Sequence, residues 1–168
     1  MLTEAFRDDG QVARLAEALR SRPDAGAAFV AEQDGEVVGE VQLSISWVDA
    51  ASELVAVFVL SPLGVLPAHQ RKGVGRALVD AAVAEAEQRG VPLVFLEGDP
   101  RYYARLGWEQ ASAFGFTAPS ARIPDPGFQV VRLAGWQPWM TGALVYNDTF
   151  WSLDFVGLRG GREPAPPN

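Results

Sequence analysis

The sequence has no cysteine and a single histidine, His69, among its 168 residues. The lack of thiols excludes a disulfide framework, a thiolate nucleophile and a thiolate metal site. A single histidine excludes a multi-histidine metal centre, and a Ser-His-Asp triad would have to use that residue, so we expect no metal. The sequence also lacks an apolar run of the roughly 18 residues that a membrane span takes, and no signal peptide is visible. We therefore expect a cytoplasmic protein without a membrane partner.

Positive charge is also scarce. The chain carries 14 lysine and arginine residues against 21 aspartate and glutamate residues, a formal net charge of −7. This balance disfavours nonspecific binding to nucleic acid or to an anionic membrane, so we expect no nucleic-acid partner. A hydrophobic content of 48% and a charged content of 21% are typical of a globular protein. The length suits one domain with a full core.

Against that acidic background, residues 70–75 form a glycine loop with cations in and beside it. The loop follows the apolar run 57–66 and precedes a helical pattern at 76–89. Free backbone N–H groups and the helix dipole favour an anion at such a helix start, and Gly73 and Gly75 let its oxygens approach the backbone. The cations, with no acid among them, are Arg71, Lys72 and Arg76. This arrangement predicts a polyanion site, most simply for a pyrophosphate.

Other phosphate loops fit these residues less well. A dinucleotide fingerprint needs a third glycine where Leu78 stands. A P-loop needs Gly-Lys-Ser/Thr in that order, whereas here Lys72 precedes Gly73 and no hydroxyl follows. A glycine turn ahead of an ordinary helix fits the same residues without any ligand, so the loop alone leaves that alternative open.

Hydrophobic periodicity and turn residues predict alternating helices and strands along the chain. Helices are predicted at residues 10–20, 76–89 and 101–106, and strands at 27–33, 36–47, 53–66, 91–97, 128–134 and 142–146. Asp34-Gly35 predicts a hairpin turn between the first two strands. We expect a single domain over residues 1–156 and a disordered, Gly/Pro-rich tail over residues 157–168.

Pro62 lies within the long predicted strand 53–66. Because proline cannot donate to a sheet ladder, it predicts a bulge or an unpaired edge. If the strand separates from its neighbour at that point, the N–H groups of Leu63 and Val65 are left without ladder partners.

Two motifs together resemble the GNAT superfamily of N-acetyltransferases. Residues 70–75 are similar to the family's Q/R-x-x-G-x-G/A loop for coenzyme A, and Tyr103 stands four residues before Gly107-Trp108, where the family commonly has a tyrosine. Residues 98–108 are also similar to a subgroup of bacterial members with a G-D-P-x-Y-Y-x-R-x-G motif. The resemblance is dense over residues 60–108 and looser elsewhere.

The resemblance implies a GNAT-type α/β fold with a mixed, mostly antiparallel sheet of about six strands flanked by helices. It implies transfer of an acetyl group from acetyl-CoA to an amine of a small molecule or protein, by direct attack. The N–H groups of Leu63 and Val65 would bind the thioester carbonyl and the pantetheine arm, and Tyr103 would be the general acid. The resemblance further implies a pyrophosphate loop made of Arg71, Lys72, Gly73, Val74, Gly75 and Arg76.

The sequence departs from the family pattern in two places. Family members commonly begin with a strand, whereas Met1 to Phe6 reads as the end of a helix. An absent first strand would leave a sheet edge, which a second copy of the chain would cover in a homodimer. No single residue stands out as the general base, and Glu53, Glu97 and a water chain are alternatives.

The sequence leaves two questions open, namely which acceptor is used and whether the protein is an enzyme. The net charge of −7 mildly favours a cationic acceptor such as a polyamine, an aminoglycoside or a lysine side chain. Aromatic residues near the C-terminus fit the core, a dimer surface or an acceptor pocket: Trp136, Trp139, Phe150, Trp151 and Phe155. A non-catalytic coenzyme A-binding module, used as a sensor or partner protein, is the alternative to an enzyme.

Overall fold

The computed structural model of the chain describes residues 10–159. These residues form four α-helices, named here α1 (Gln11–Arg20), α2 (Val74–Gln88), α3 (Pro100–Tyr103) and α4 (Asp148–Ser152). Their eight strands are β1 (Ala25–Gln33), β2 (Glu36–Ala50), β3 (Leu54–Val65), β4 (Leu93–Glu97), β5 (Glu109–Gln110), β6 (Phe116–Thr117), β7 (Phe128–Arg132) and β8 (Gly142–Val145). The expectation of an absent first strand falls on residues 1–9, and most of the predicted tail falls on residues 160–168; both lie outside the described residues.

All eight strands belong to one mixed sheet. Its order is β5-β7-β4-β3-β2-β8-β6, with β1 paired to β2 beside this path. The pairs β3–β4 and β6–β8 are parallel, and the other neighbours are antiparallel. The predicted fold class, an α/β fold with a mixed and mostly antiparallel sheet, is therefore confirmed.

The longest strand, β2, organises one half of the sheet. Its first half pairs with β1 through a hairpin at Asp34 and Gly35, whose φ angles are 52° and 81°. Two positive φ angles give a tight turn that matches the twist of the strands. Residues 47–50 of β2 pair along the same edge with β8. Thus β1 and β8 share one edge of β2, and β3 takes the other.

Two apolar clusters cover the two faces of the sheet. Side chains alternate along a strand, so Leu93 and Phe95 of β4 belong to one cluster while Val94 and Leu96 belong to the other. α1 and α4 pack on the first face, and α2 packs on the second. The ends of β3 and β4 therefore lie between these two helical layers. Among residues 10–159, no helix is both long enough and apolar enough to cross a membrane.

The sequence analysis located the long elements and missed the shortest ones. The predicted strands 53–66 and 91–97 match β3 and β4 closely. β5 and β6 have only two residues each, too few to show any periodicity. α4 was missed as well, although Asn147 marks its start: the side chain accepts a hydrogen bond from the Thr149 N–H at 3.1 Å, as an N-cap residue does.

Candidate active site

The candidate site is a gap that opens between β3 and β4. Within the described residues the two strands pair only at Phe58 and Val59 of β3, although β3 runs on to Val65. On its other edge β3 stays paired with β2, but the register shifts so that Ser61 and Pro62 together oppose a single residue. Such a bulge bends a strand. The bulge predicted at Pro62 is therefore present, and the gap begins there.

Beyond the bulge, two backbone N–H groups of β3 point into the gap. The Leu66 N–H donates to the Val38 carbonyl at 2.9 Å. Hydrogen-bonded positions alternate with non-hydrogen-bonded positions along an antiparallel pair. Val65 and Leu63, which lie one and three positions before Leu66, are therefore non-hydrogen-bonded positions. Their N–H groups point away from β2, toward the side that β4 has left.

The glycine loop joins the end of β3 to the start of α2. The Gln70 side chain donates from Nε2 to the Val65 carbonyl at 3.0 Å and so holds the loop against the strand. Gly73 is the N-cap residue of α2, with a φ of 87°, a left-handed conformation that glycine adopts without strain. Within the part of the chain that the structure describes, no side chain caps the first N–H groups of α2, so they are open to an anion.

A cavity of about 290 Å³, which we call the binding cleft, joins the loop to β3. It is lined by Leu63, Val65, Gln70, Arg71, Gly75 and Tyr102. Of the other two cations of the loop, Lys72 is exposed, and the Nε atom of Arg76 lies 3.5 Å from Oδ2 of Asp80. The structure therefore brings the glycine loop, one of its arginines and the two N–H groups of β3 to one cleft.

A second cavity, of about 240 Å³, continues from the binding cleft, and we call it the transfer cavity. It is lined by Val12, Leu15, Leu60, Ser61, Pro62, Leu63, Glu97, Tyr103 and Phe155. Leu63 lines both cavities, so the two adjoin at this residue of β3. The ionisable side chains that line the transfer cavity are Glu97 and Tyr103.

Tyr103 is the last residue of α3. The helix is started by Asp99, whose carboxylate accepts a hydrogen bond from the Arg101 N–H at 2.9 Å. The Tyr103 ring packs edge-on against the rings of Tyr102 and Trp108, at centroid distances of 4.9 and 5.9 Å. Burial, with a smaller contribution from Tyr102, raises the pKa of the Tyr103 phenol above its usual value. The hydroxyl is therefore protonated at neutral pH.

The position of the Tyr103 ring depends on Gly98. A Cβ atom at residue 98 would lie 2.4 Å from Cε2 and 2.9 Å from Cδ2 of that ring, closer than carbon atoms pack. The Gly98 backbone is itself fixed, since its N–H donates to the Gly127 carbonyl at 3.0 Å and its carbonyl accepts from Gln129 Nε2 at 3.3 Å. Gly98 thus lets the ring lie against the end of β4, a role that the sequence analysis did not identify.

Glu97, the last residue of β4, faces both the transfer cavity and a smaller one of about 180 Å³, which we call the side cavity. The Tyr146 hydroxyl donates to Glu97 Oε1 at 2.7 Å. Glu97 is open to solvent through the cavities, yet the protein around it removes enough water to raise the pKa of its carboxyl. Hydrogen bonds from Tyr146 and from the Gly157 backbone oppose that rise. A carboxylate with a raised pKa suits a general base at neutral pH.

Of the two glutamates considered as general bases, Glu97 lies at the site and Glu53 does not. Glu53 precedes β3 at the end opposite to the bulge. A strand rises about 3.3 Å per residue, which puts Glu53 more than about 20 Å from Ser61. The sequence analysis did not predict the role of Tyr146, because its partner Glu97 is 49 residues away in the chain. The one indication in the sequence was that Tyr146 ends the predicted strand 142–146.

Comparison with protein families finds a match over residues 1–111 to the family described as acetyltransferase (GNAT) domain. The N-acetyltransferase YhbS of Escherichia coli (strain K12) is 30% identical over 154 residues, which cover 89% of this chain and 89% of YhbS. The N-acetyltransferase YjhQ of the same strain is 30% identical over 121 residues, which cover 70% of this chain and 66% of YjhQ.

Two crystal structures of GNAT proteins share the fold over most of the chain. YhbS from Escherichia coli, in complex with CoA, superimposes with a TM-score of 0.78 and 29% identity, covering 89% of this chain and 82% of that one. An acetyltransferase from Brucella melitensis, in complex with acetyl-CoA, superimposes with a TM-score of 0.69 and 27% identity, covering 89% of this chain and 87% of that one.

Substitution of Gly98 tests how the site is held together. Gly98→Ala should displace the Tyr103 ring, and we expect overpacking of this kind to lower the free energy of unfolding by about 1–3 kcal/mol. Denaturant unfolding measures the loss, and near-ultraviolet circular dichroism reports the tyrosine environment. Gly135→Ala is the control, because its new Cβ would meet no atom closer than 3.5 Å. Equal stability and equal spectra for the two variants would contradict the proposed contact.

Proposed function

This chain belongs to the GNAT family of acetyltransferases, and we propose that it transfers the acetyl group in the gap between β3 and β4. It is an N-acetyltransferase that uses acetyl-CoA as the donor. Of the two alternatives that the sequence left open, the enzyme is therefore favoured over the non-catalytic module. The observation that supports this location best is the separation of β3 from β4, which leaves two N–H groups of β3 facing a cleft that continues from the glycine loop.

In this proposal the N–H groups of Leu63 and Val65 bind the acetyl and pantetheine part of the donor. When an amine attacks the thioester, negative charge gathers on the carbonyl oxygen, and one fixed N–H donor at that point is worth roughly 3 kcal/mol. Leu63 lines both the binding cleft and the transfer cavity, so we assign its N–H to the thioester carbonyl. We assign the N–H of Val65 to the pantetheine arm.

The pyrophosphate of the donor would lie on the glycine loop. Uncapped N–H groups at a helix start and the helix dipole both attract phosphate oxygens. Cationic side chains add attraction on the solvent side, where binding should weaken as salt rises. The residues in this role are Arg71, Lys72, Gly73, Val74, Gly75 and Arg76.

Glu97 is the general base of the proposed reaction, and the amine attacks without a covalent enzyme intermediate. Glu97 takes a proton from the ammonium form of the acceptor and passes it to solvent. The neutral nitrogen then attacks the thioester carbon, so that a C–N bond forms and the C–S bond breaks. After the attack the nitrogen gives up a second proton, which the ionised Glu97 accepts and passes to solvent. The thiolate of CoA takes its proton from Tyr103, which regains one from solvent, so that one proton is released in total.

Tyr103 is the residue that protonates the departing thiolate. An unperturbed phenol has a pKa of about 10, close to that of a thiol, but burial raises the pKa of Tyr103 above that value. A phenol with a raised pKa is a weaker acid, so Tyr103 acts first as a hydrogen-bond donor to the sulfur. It gives up its proton only as the C–S bond breaks and regains one from solvent.

We also propose that the chain belongs to the subgroup with the G-D-P-x-Y-Y-x-R-x-G motif. The motif has a physical basis in this fold, since Gly98 makes room for the Tyr103 ring and Asp99 caps α3. Pro100 occupies the first turn of that helix, where its missing N–H costs nothing. Gly107 ends the segment with a φ of 85°.

Reversal of one charge in the binding cleft tests donor binding. Arg71→Glu should weaken the binding of acetyl-CoA by at least about tenfold, roughly 1.4 kcal/mol, because it sets a carboxylate against the pyrophosphate. Calorimetry at low and high salt measures the loss, which should shrink as salt rises. Arg14→Glu makes the same change of net charge on α1, across the sheet from the cleft. Equal affinities for the two variants would argue against this site.

Removal of one hydroxyl tests the proposed acid. Tyr103→Phe keeps the ring and should lower kcat by roughly 10²-fold while the affinity for acetyl-CoA stays nearly constant. Release of CoA can be followed with a thiol reagent without background, because the chain has no cysteine. Tyr102→Phe removes a hydroxyl from the binding cleft instead, so its effect should fall on KM. Full turnover in Tyr103→Phe would mean that another group protonates the thiolate.

The pH profile tests the proposed base. Glu97 must be ionised to accept a proton, so kcat/KM should rise as the pH rises through the raised pKa of Glu97. Tyr146→Phe removes a hydrogen bond that favours the carboxylate, so the pKa should rise further and the acid limb should move to higher pH. Glu97→Gln should abolish this limb. An identical limb in wild type and Tyr146→Phe would contradict the assignment.

A further inference from the structure

The side chains that line the cavities around Glu97 indicate which class of acceptor fits this protein. The transfer cavity and the side cavity share three lining residues, Ser61, Glu97 and Phe155. The two cavities therefore adjoin at the Glu97 side chain, and we treat them as two parts of one site. One part leads to Leu63 and the proposed position of the thioester. The other part extends beneath α4.

Among residues 10–159, Glu97 supplies the only carboxylate that lines either cavity, and none of the lining residues in that range is cationic. Other acids near α4 already have partners: Asp148, its first residue, pairs with Arg22, which also pairs with Asp24. A single carboxylate can neutralise one ammonium group. A second ammonium group in this space would lose part of its water without gaining a partner among the described residues, and such a charge is costly.

Apolar and aromatic side chains form most of the remaining wall. Phe150 of α4 is 2% exposed, and its ring packs on that of Tyr146 at a centroid distance of 4.7 Å. Phe155 packs against the same core cluster, and Val12 and Leu15 of α1 close the transfer cavity. Walls of this kind hold a ligand by excluding water from its apolar surface, with a few polar groups to orient it.

We infer that the acceptor is a primary monoamine whose amino group is carried on a compact apolar or aromatic body. The amino group lies at Glu97, and the body lies against Phe150 and Phe155. This inference rests on the proposed function and narrows its substrate class. It differs from the class that net charge suggested, because Glu97 is the one acid of residues 10–159 that lines the cavities. Polyamines and aminoglycosides carry additional charges, and the described residues that line this space offer them no partner.

A panel of amines at equal concentration tests the inference through CoA release. The panel consists of phenethylamine, hexylamine, 1,6-diaminohexane, spermidine, kanamycin and Nα-acetyl-lysine amide. We expect kcat/KM to be at least about tenfold higher for the first two than for the others. Hexylamine and 1,6-diaminohexane differ only by a second amino group, so their ratio measures what that charge costs. Equal or better turnover of the polycations overturns the inference while the proposed function stands.

Two variants at one position on α1 give a second test. Val12→Glu adds a carboxylate to the wall of the transfer cavity and should raise kcat/KM for 1,6-diaminohexane relative to hexylamine by about tenfold. Val12→Gln adds the same bulk without charge and should keep the wild-type preference. If Val12→Glu leaves the preference unchanged in a folded protein, the cavity is not the acceptor site. If wild type binds acetyl-CoA but turns over no amine of the panel, the proposed function fails together with this inference.

Discussion

The arrangement of the site depends on one constraint, which is that β3 cannot satisfy both of its neighbours along its whole length. It stays paired with β2 as far as Val65, but its pairing with β4 ends at Val59. Because the bulge at Ser61 and Pro62 adds a residue on one side only, the strand bends and two N–H groups lose the partner that a regular ladder would provide. Buried N–H groups are rarely left unpaired, so this part of β3 is suited to a ligand carbonyl.

The same removal of water has opposite consequences for the two ionisable groups of the transfer cavity. Burial raises the pKa of Glu97 and that of Tyr103. For a carboxylate, the rise brings the pKa closer to neutral pH and makes it a better base. For a phenol, the rise takes the pKa further from neutral pH and keeps the proton in place. In the proposed reaction, one environment therefore supplies both the group that accepts a proton and the group that donates one.

What the sequence could predict depended on how local each interaction is. The sequence predicted the glycine loop because Gln70, Gly73 and the start of α2 are close together in the chain. It predicted the bulge because Pro62 lacks the backbone N–H that a sheet ladder needs. The contact between Tyr146 and Glu97 could not be predicted from the sequence, because the two residues are 49 positions apart. Gly98 and Tyr103 both stand in the G-D-P-x-Y-Y-x-R-x-G motif, but the motif does not show that the tyrosine ring packs against the glycine. The sequence did not predict the lining of the transfer cavity either, because Val12, Glu97 and Phe155 come together only in the folded chain.

The central claim is that Leu63 and Val65 offer backbone N–H groups to the donor. Amide hydrogen exchange, resolved by residue with nuclear magnetic resonance, tests it most directly. The Leu66 amide, which already donates to Val38, should exchange slowly with or without ligand. The amides of Leu63 and Val65 should exchange quickly in the free protein and at least about tenfold more slowly with saturating acetyl-CoA. Slow exchange at both positions in the free protein, or no change on addition of acetyl-CoA, would contradict the account.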